Sequence, residues 1–173
     1  MRLTMKKLII LIILVCIIGC EKDEQNEKYF DPENLGLLDL VNIDGFWDDD
    51  SIIDTSFNGG GALFKLHPGF LESISLWNED KRVVISVFTT RDTAIIAMEF
   101  RINNVAGVIH EGTSDEIKGT WWFYNDGWNS AVFVNQWNTI IEVVISGTNN
   151  EEVENILYSA ANELAKRVDN LSE

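Results

Sequence analysis

His67 and His110 are the two histidines of this chain. An imidazole can bind zinc or carry a proton, but it needs neighbours of the right kind. The pair His110-Glu111 lacks the second histidine that a zinc-binding helix places four residues away. No cysteine follows Cys20, so neither a thiolate metal set nor a disulfide can form in the body of the chain. Asp48-Asp49-Asp50 offers clustered carboxylates, the ligands calcium prefers. It lacks the alternating Asp/Asn spacing of a calcium loop and reads as the solvated start of a helix at Ile52. Asn58-Gly59-Gly60-Gly61 is not followed by Lys-Ser/Thr and so reads as a turn, not a phosphate cradle. Ser73, Ser75, Ser130 and Ser146 lie in no Gly-x-Ser-x-Gly elbow. Acidic residues abound without singling out a pair. The expectation is no metal, no cofactor and no catalytic residue.

The aromatic residues are distributed less evenly. Trp121, Trp122, Phe123, Tyr124 and Trp128 crowd one predicted hairpin, and Trp137 opens the next strand region. Successive strand residues face opposite ways, so Trp121 and Trp122 cannot enter the same core. Either both faces of the sheet are covered, or one aromatic face meets a partner. Asn125, Asp126, Asn129, Asn135, Gln136 and Asn138 flank this region and suit sugar hydroxyls, with indole faces stacking on sugar rings. Trp122, Tyr124 and Trp128 are the candidate binding residues, expected to gather on one uncovered face.

The start of the chain follows a different logic. Arg2, Lys6 and Lys7 form a basic head, and Leu8 to Ile18 is an unbroken apolar run. About 20 residues are needed to span a bilayer as a helix, so the run is too short, but it suits a signal peptide. It ends in Ile17-Ile18-Gly19-Cys20. This resembles the lipobox of bacterial lipoproteins, with Ile17 where that family most often has leucine. The resemblance implies cleavage before Cys20, a diacylglycerol thioether on its sulfur and a membrane partner for the chain. Two or three acyl chains anchor stably where one holds only marginally. Residues 21–28 are charged and aperiodic and read as a flexible tether. Lys22-Asp23-Glu24 resembles the signal that sends some lipoproteins of Bacteroidota to the outer face of the outer membrane. A plain solvated linker has the same composition. The implied address is the cell envelope, with the outer membrane favoured.

Without residues 1–19 the chain keeps ten basic residues against 28 acidic ones, a net charge of -18. Such a surface repels nucleic-acid phosphates and anionic lipid, and it keeps a protein soluble. The predicted organisation is a signal peptide over 1–19, a lipidated tether over 20–34 and one domain over 35–173. Leu35 to Val41 should dock on that domain. Period-two patterns predict strands over 70–77, 82–89, 119–124, 128–134 and 139–146, with Asn125-Asp126-Gly127 as a hairpin turn. Val105 to His110 reads as a short strand and Glu111 to Lys118 as a polar loop. Helical spacing predicts a helix over 92–103 and a final one whose apolar stripe runs from Val153 to Leu171, started by a Thr148/Glu151 capping box.

The fold class is therefore α+β: a mostly antiparallel sheet with a long C-terminal helix packed on one face. Phe57 to Ala62, Val83 to Met98 and the closing strand and helix from Thr139 are similar to a group of uncharacterised bacterial envelope domains. That resemblance supports the fold and implies no functional residue. The expected function is a non-catalytic module that binds or scaffolds a protein or glycan partner in the envelope. The alternative is an envelope-acting hydrolase with a site built from scattered carboxylates.

Overall fold

The computed structural model describes residues 27–47, 64–104, 108–113, 119–147 and 150–173. Cys20, Lys22 to Glu24, Asp48 to Asp50, Asn58 to Gly61 and Thr148 lie outside the described residues. Six strands form one sheet: β1 Phe70–Trp77, β2 Lys81–Phe88, β3 Val108–Thr113, β4 Thr120–Asn125, β5 Asn129–Gln136 and β6 Thr139–Ser146. Two helices join them, α1 Arg91–Asn103 and α2 Glu151–Leu171. The spatial order is β1-β2-β6-β5-β4-β3, and every neighbouring pair is antiparallel. β1 and β2 make a hairpin, α1 carries the chain to the far edge, and β3 to β6 return to meet β2. No helix among the described residues is long and apolar enough to cross a membrane.

The central strands are apolar at nearly every position because both faces are buried. On one face, Val83, Ile85 and Val87 of β2 and Ile141, Val143 and Ile145 of β6 join Leu157, Ala160, Ala161, Leu164 and Val168 of α2. On the other, Phe88, Ile140, Val144, Ala131, Phe133 and Trp122 pack under Ala94, Ala97 and Met98 of α1. Trp121 lies on the α2 face, edge-on to Tyr158 at 5.0 Å. Its ring covers Gly112 across the β3–β4 pair, where a Cβ would sit 2.1 Å from the indole. Alternation thus sends the two adjacent tryptophans into two separate cores, the physical result expected of neighbours on a strand.

Three expectations are corrected. First, the domain begins before Leu35. Phe30 is fully buried and a short 3-10 helix spans Pro32–Leu37, so residues 30–34 belong to the packed body instead of the tether. Tyr29 and Glu173 exchange backbone hydrogen bonds at 2.8 and 3.1 Å, and Lys28 ion-pairs with Asp169 at 3.4 Å. Second, α2 is capped by Asn150, whose side chain accepts from the Val153 N–H at 2.9 Å, in place of Thr148. Asparagine satisfies an orphan N–H as well as threonine does. Third, β3 runs on to Thr113 instead of breaking into a loop at Glu111, because β4 offers it a full set of partners.

A two-residue turn, Trp137-Asn138, joins β5 to β6. Trp137 takes φ 53, a left-handed conformation that costs a side-chain-bearing residue about 1–3 kcal/mol. It is held there by its indole N–H, which donates to Asp169 at 2.9 Å, and by the Arg91 guanidinium 5.9 Å from its ring centroid.

Candidate functional site

α1 is 13 residues long, about 20 Å, and it is the one described α-helix on its side of the sheet, where a 3-10 turn at Phe64–Leu66 adds only Phe64 to the core. It leaves uncovered the pole where the β1–β2 and β4–β5 hairpins turn. A cleft of about 360 Å³ opens there, within the roughly 300–1,000 Å³ range of ligand pockets. β6 supplies its floor with Glu142, the turn after β1 supplies Asn78, Glu79 and Asp80, and the β4–β5 hairpin supplies Tyr124, Asp126 and Asn129. Arg101 reaches in from the last turn of α1, and Arg82 from β2.

Glu142 is the unusual residue. It lies between Val84 and Phe133 in the sheet register and is only 2 % exposed. A charge so placed requires a partner, since burying it alone costs far more than the fold can absorb. Arg82 donates from Nη2 to Glu142 Oε1 at 2.6 Å, and Arg101 Nη2 stands 4.0 Å from the same oxygen. Arg101 also lies 5.5 Å from the Phe133 ring centroid. Two guanidiniums therefore face one carboxylate. Among the described residues, the Arg82 Nε is buried and meets no hydrogen-bond partner.

The hairpin wall is self-bracing. Asp126 Oδ1 accepts from the N–H groups of Trp128 at 2.8 Å and Asn129 at 2.7 Å, while Asn125 Oδ1 accepts from Gly127 N–H at 2.8 Å. Gly127 takes φ 85, which the turn requires. The Tyr124 hydroxyl donates to Asp126 Oδ2 at 2.5 Å. These donors, that of Tyr124 foremost, hold the Asp126 carboxyl well below the usual carboxylate range. Partial burial, then the bond to Asp126 and its negative charge, push the Tyr124 phenol up to about 12.

A raised folded pKa adds stability that is fully present below the unfolded value near 10 and is lost as pH rises through the folded value. The Tyr124 contribution should therefore fade between about pH 10 and 12. In an ultraviolet phenolate titration, Tyr124→Phe should remove the ionisation near pH 12. A titration curve that keeps that step would assign it elsewhere.

The three candidate binding residues do not form one uncovered face. Trp122 is only 9 % exposed and sits in the core under α1. Tyr124 is half-buried on the cleft wall, and Trp128 is 80 % exposed at the hairpin tip. α1 reaches far enough along the sheet to bury the first but not the others. His67 packs edge-on against Phe100 at 4.8 Å, and exposed His110 stacks on Phe123 at 6.5 Å, so the histidines stay apart. Asn135, Gln136 and Asn138 are buried and serve the opposite pole. Arg82, Arg101 and Glu142 escaped the sequence reading. The available signal was one carboxylate inside the otherwise apolar run from Ile140 to Ile145, which cannot be buried without a cation.

No family model and no curated protein matches this chain. Among solved structures it is similar to the extracellular domain of PknH from Mycobacterium tuberculosis. The two are 14 % identical over 68 % of this chain and 80 % of that one, with a TM-score of 0.41. An overlap so shallow transfers neither a fold assignment nor a function.

Proposed function

We propose that the chain is a lipid-anchored envelope module that binds a protein or glycan partner without catalysis, using the cleft between its two hairpin tips. The observation that carries this is polarity. The segment leading back to Cys20 docks at one end of the sheet, where Lys28, Tyr29 and Phe30 meet Asp169, Glu173 and Asn138. The cleft opens at the other end. The eight residues of β5 and of β6 separate the two by about 26 Å. A chain tethered at the first pole presents the second to whatever lies beyond the membrane surface.

The hydrolase alternative draws less support. The Glu142 carboxylate is engaged by Arg82, and Asp126 spends its oxygens on the hairpin. Glu79 and Asp80 sit exposed on the rim.

Two experiments test the reading. Cys20→Ser should abolish incorporation of labelled palmitate and leave an unprocessed precursor, and equal labelling of both proteins would remove the anchor. Trp128→Ala, at an exposed tip, should change stability by no more than about 0.5 kcal/mol. It should nevertheless weaken binding to solubilised envelope glycan or protein several-fold. Binding unaffected by Trp128→Ala and by substitutions within the cleft would remove this pole from the function.

A further inference from the structure

The cleft has a charge arrangement that selects among ligands, a property that rests on the proposed role of the cleft as a binding site. Each guanidinium carries five N–H donors in a fixed fork suited to a carboxylate. Among the described residues, Arg82 makes one side-chain hydrogen bond, to Glu142, and its Nε is buried and unpartnered. The Arg101 guanidinium is held by the 4.0 Å ion pair and the Phe133 ring, neither of which saturates its donors. The floor thus has one positive charge more than Glu142 neutralises, in a chain of net charge -15. Around this spot the charges run the other way. Glu79, Asp80 and Asp126 ring the opening, against Lys81 as the one further cation in the lining. A polyanion would meet that acidic rim, whereas a single negative charge can pass it and be matched at the floor. The remaining polar groups, from Asn78, Asn129 and Ser146, are neutral and suit hydroxyls. Trp77 and Tyr124 add ring surface to the walls.

We propose that this cleft binds a carboxylate-bearing sugar, with the carboxylate seated on Arg101 and Arg82 and the hydroxyls on the neutral polar wall. Glu142 then has a defined role. It holds Arg82 in place and sets the surplus charge of the floor at one instead of two, which disfavours phosphate and sulfate esters with higher charge.

The test uses the mature chain with Cys20→Ser to keep it in solution, titrated calorimetrically with galacturonate, its methyl ester and neutral N-acetylglucosamine. Galacturonate, with its single charge, should bind saturably, and the ester at least tenfold more weakly. Arg101→Gln should lose at least tenfold for galacturonate, and Arg101→Lys should lose most of that too, because an ammonium cannot present the fork. Glu142→Gln removes the competing carboxylate and should tighten the acid several-fold if the variant folds. Arg101 lies on a helix surface, so its variants keep the test open if Glu142→Gln does not fold. Equal binding of acid and ester, or of wild type and Arg101→Gln, would overturn the carboxylate assignment while leaving the cleft a glycan site. Binding of none of the three sugars would overturn the sugar, while a protein partner lost on Trp128→Ala would still support the broader binding role.

Discussion

Asn138→Ala is expected to lower the unfolding free energy by about 3–5 kcal/mol, a larger effect than most single polar substitutions produce. The Asn138 side chain accepts from the Phe30 N–H at 2.7 Å and donates to the carbonyls of Phe30 and Phe88 at 3.0 and 2.8 Å. Each of these backbone groups loses a partner in a site closed to solvent, and an orphaned buried group costs roughly 1–3 kcal/mol. The terms do not add fully, because residues 29–31 can peel away once the side chain is gone. Urea unfolding should show a lower midpoint, and hydrogen exchange should show the Phe30 amide losing protection first. Asn138→Asp keeps one acceptor but turns a charge toward two carbonyls, so it should be no milder. A loss below about 1 kcal/mol for Asn138→Ala would mean that water replaces all three bonds.

Leu164→Ala should cost about 2–5 kcal/mol and lower the melting temperature by roughly 5–15 °C. Leu164 is fully buried at the centre of the α2 stripe, against the sheet face of Val143 and its neighbours. The residues beside it, Ala160, Ala161 and Ala165, are already small, so the helix has little to slide inward and fill the void. The cost should therefore fall in the upper half of that range. A melting curve unchanged by the substitution would show that α2 contributes no packing energy.

The two helices and five of the strands were legible because their periodicity is local. Ile141, Val143 and Ile145 alternate with Glu142, and Leu157, Ala161, Leu164 and Val168 repeat at helical spacing. Phe30 was not legible. A Tyr-Phe pair set between Lys28 and Asp31 carries no periodic signature, and the burial of Phe30 depends on Asn138, 108 positions away. The cleft was hidden for the same reason. Arg82, Arg101 and Glu142 meet only because β6 returns to β2 after the excursion through α1 and β3–β5. Trp122 and Trp128 were grouped because strand alternation and the hairpin register put them on one face of the sheet. The reach of one helix separates them, and local pattern does not encode that reach.

The Asn138 clamp also has a mechanical meaning. Any pull arriving through Glu27 is delivered by Phe30 to the turn between β5 and β6. From that turn, two strands run the length of the sheet as covalent cables and finish at Trp128 and Ser146, beside the cleft. If the chain is anchored and holds a ligand in the cleft as proposed, tension between the two is carried along those strand axes, where peptide bonds bear the load. The lateral hydrogen bonds of the sheet are not asked to unzip. The weak links are the short pairings at the entry point, those of Tyr29 with Glu173 and Lys28 with Asp169. Under rising force they give way first and lengthen the leash by a few residues before the body of the domain is strained.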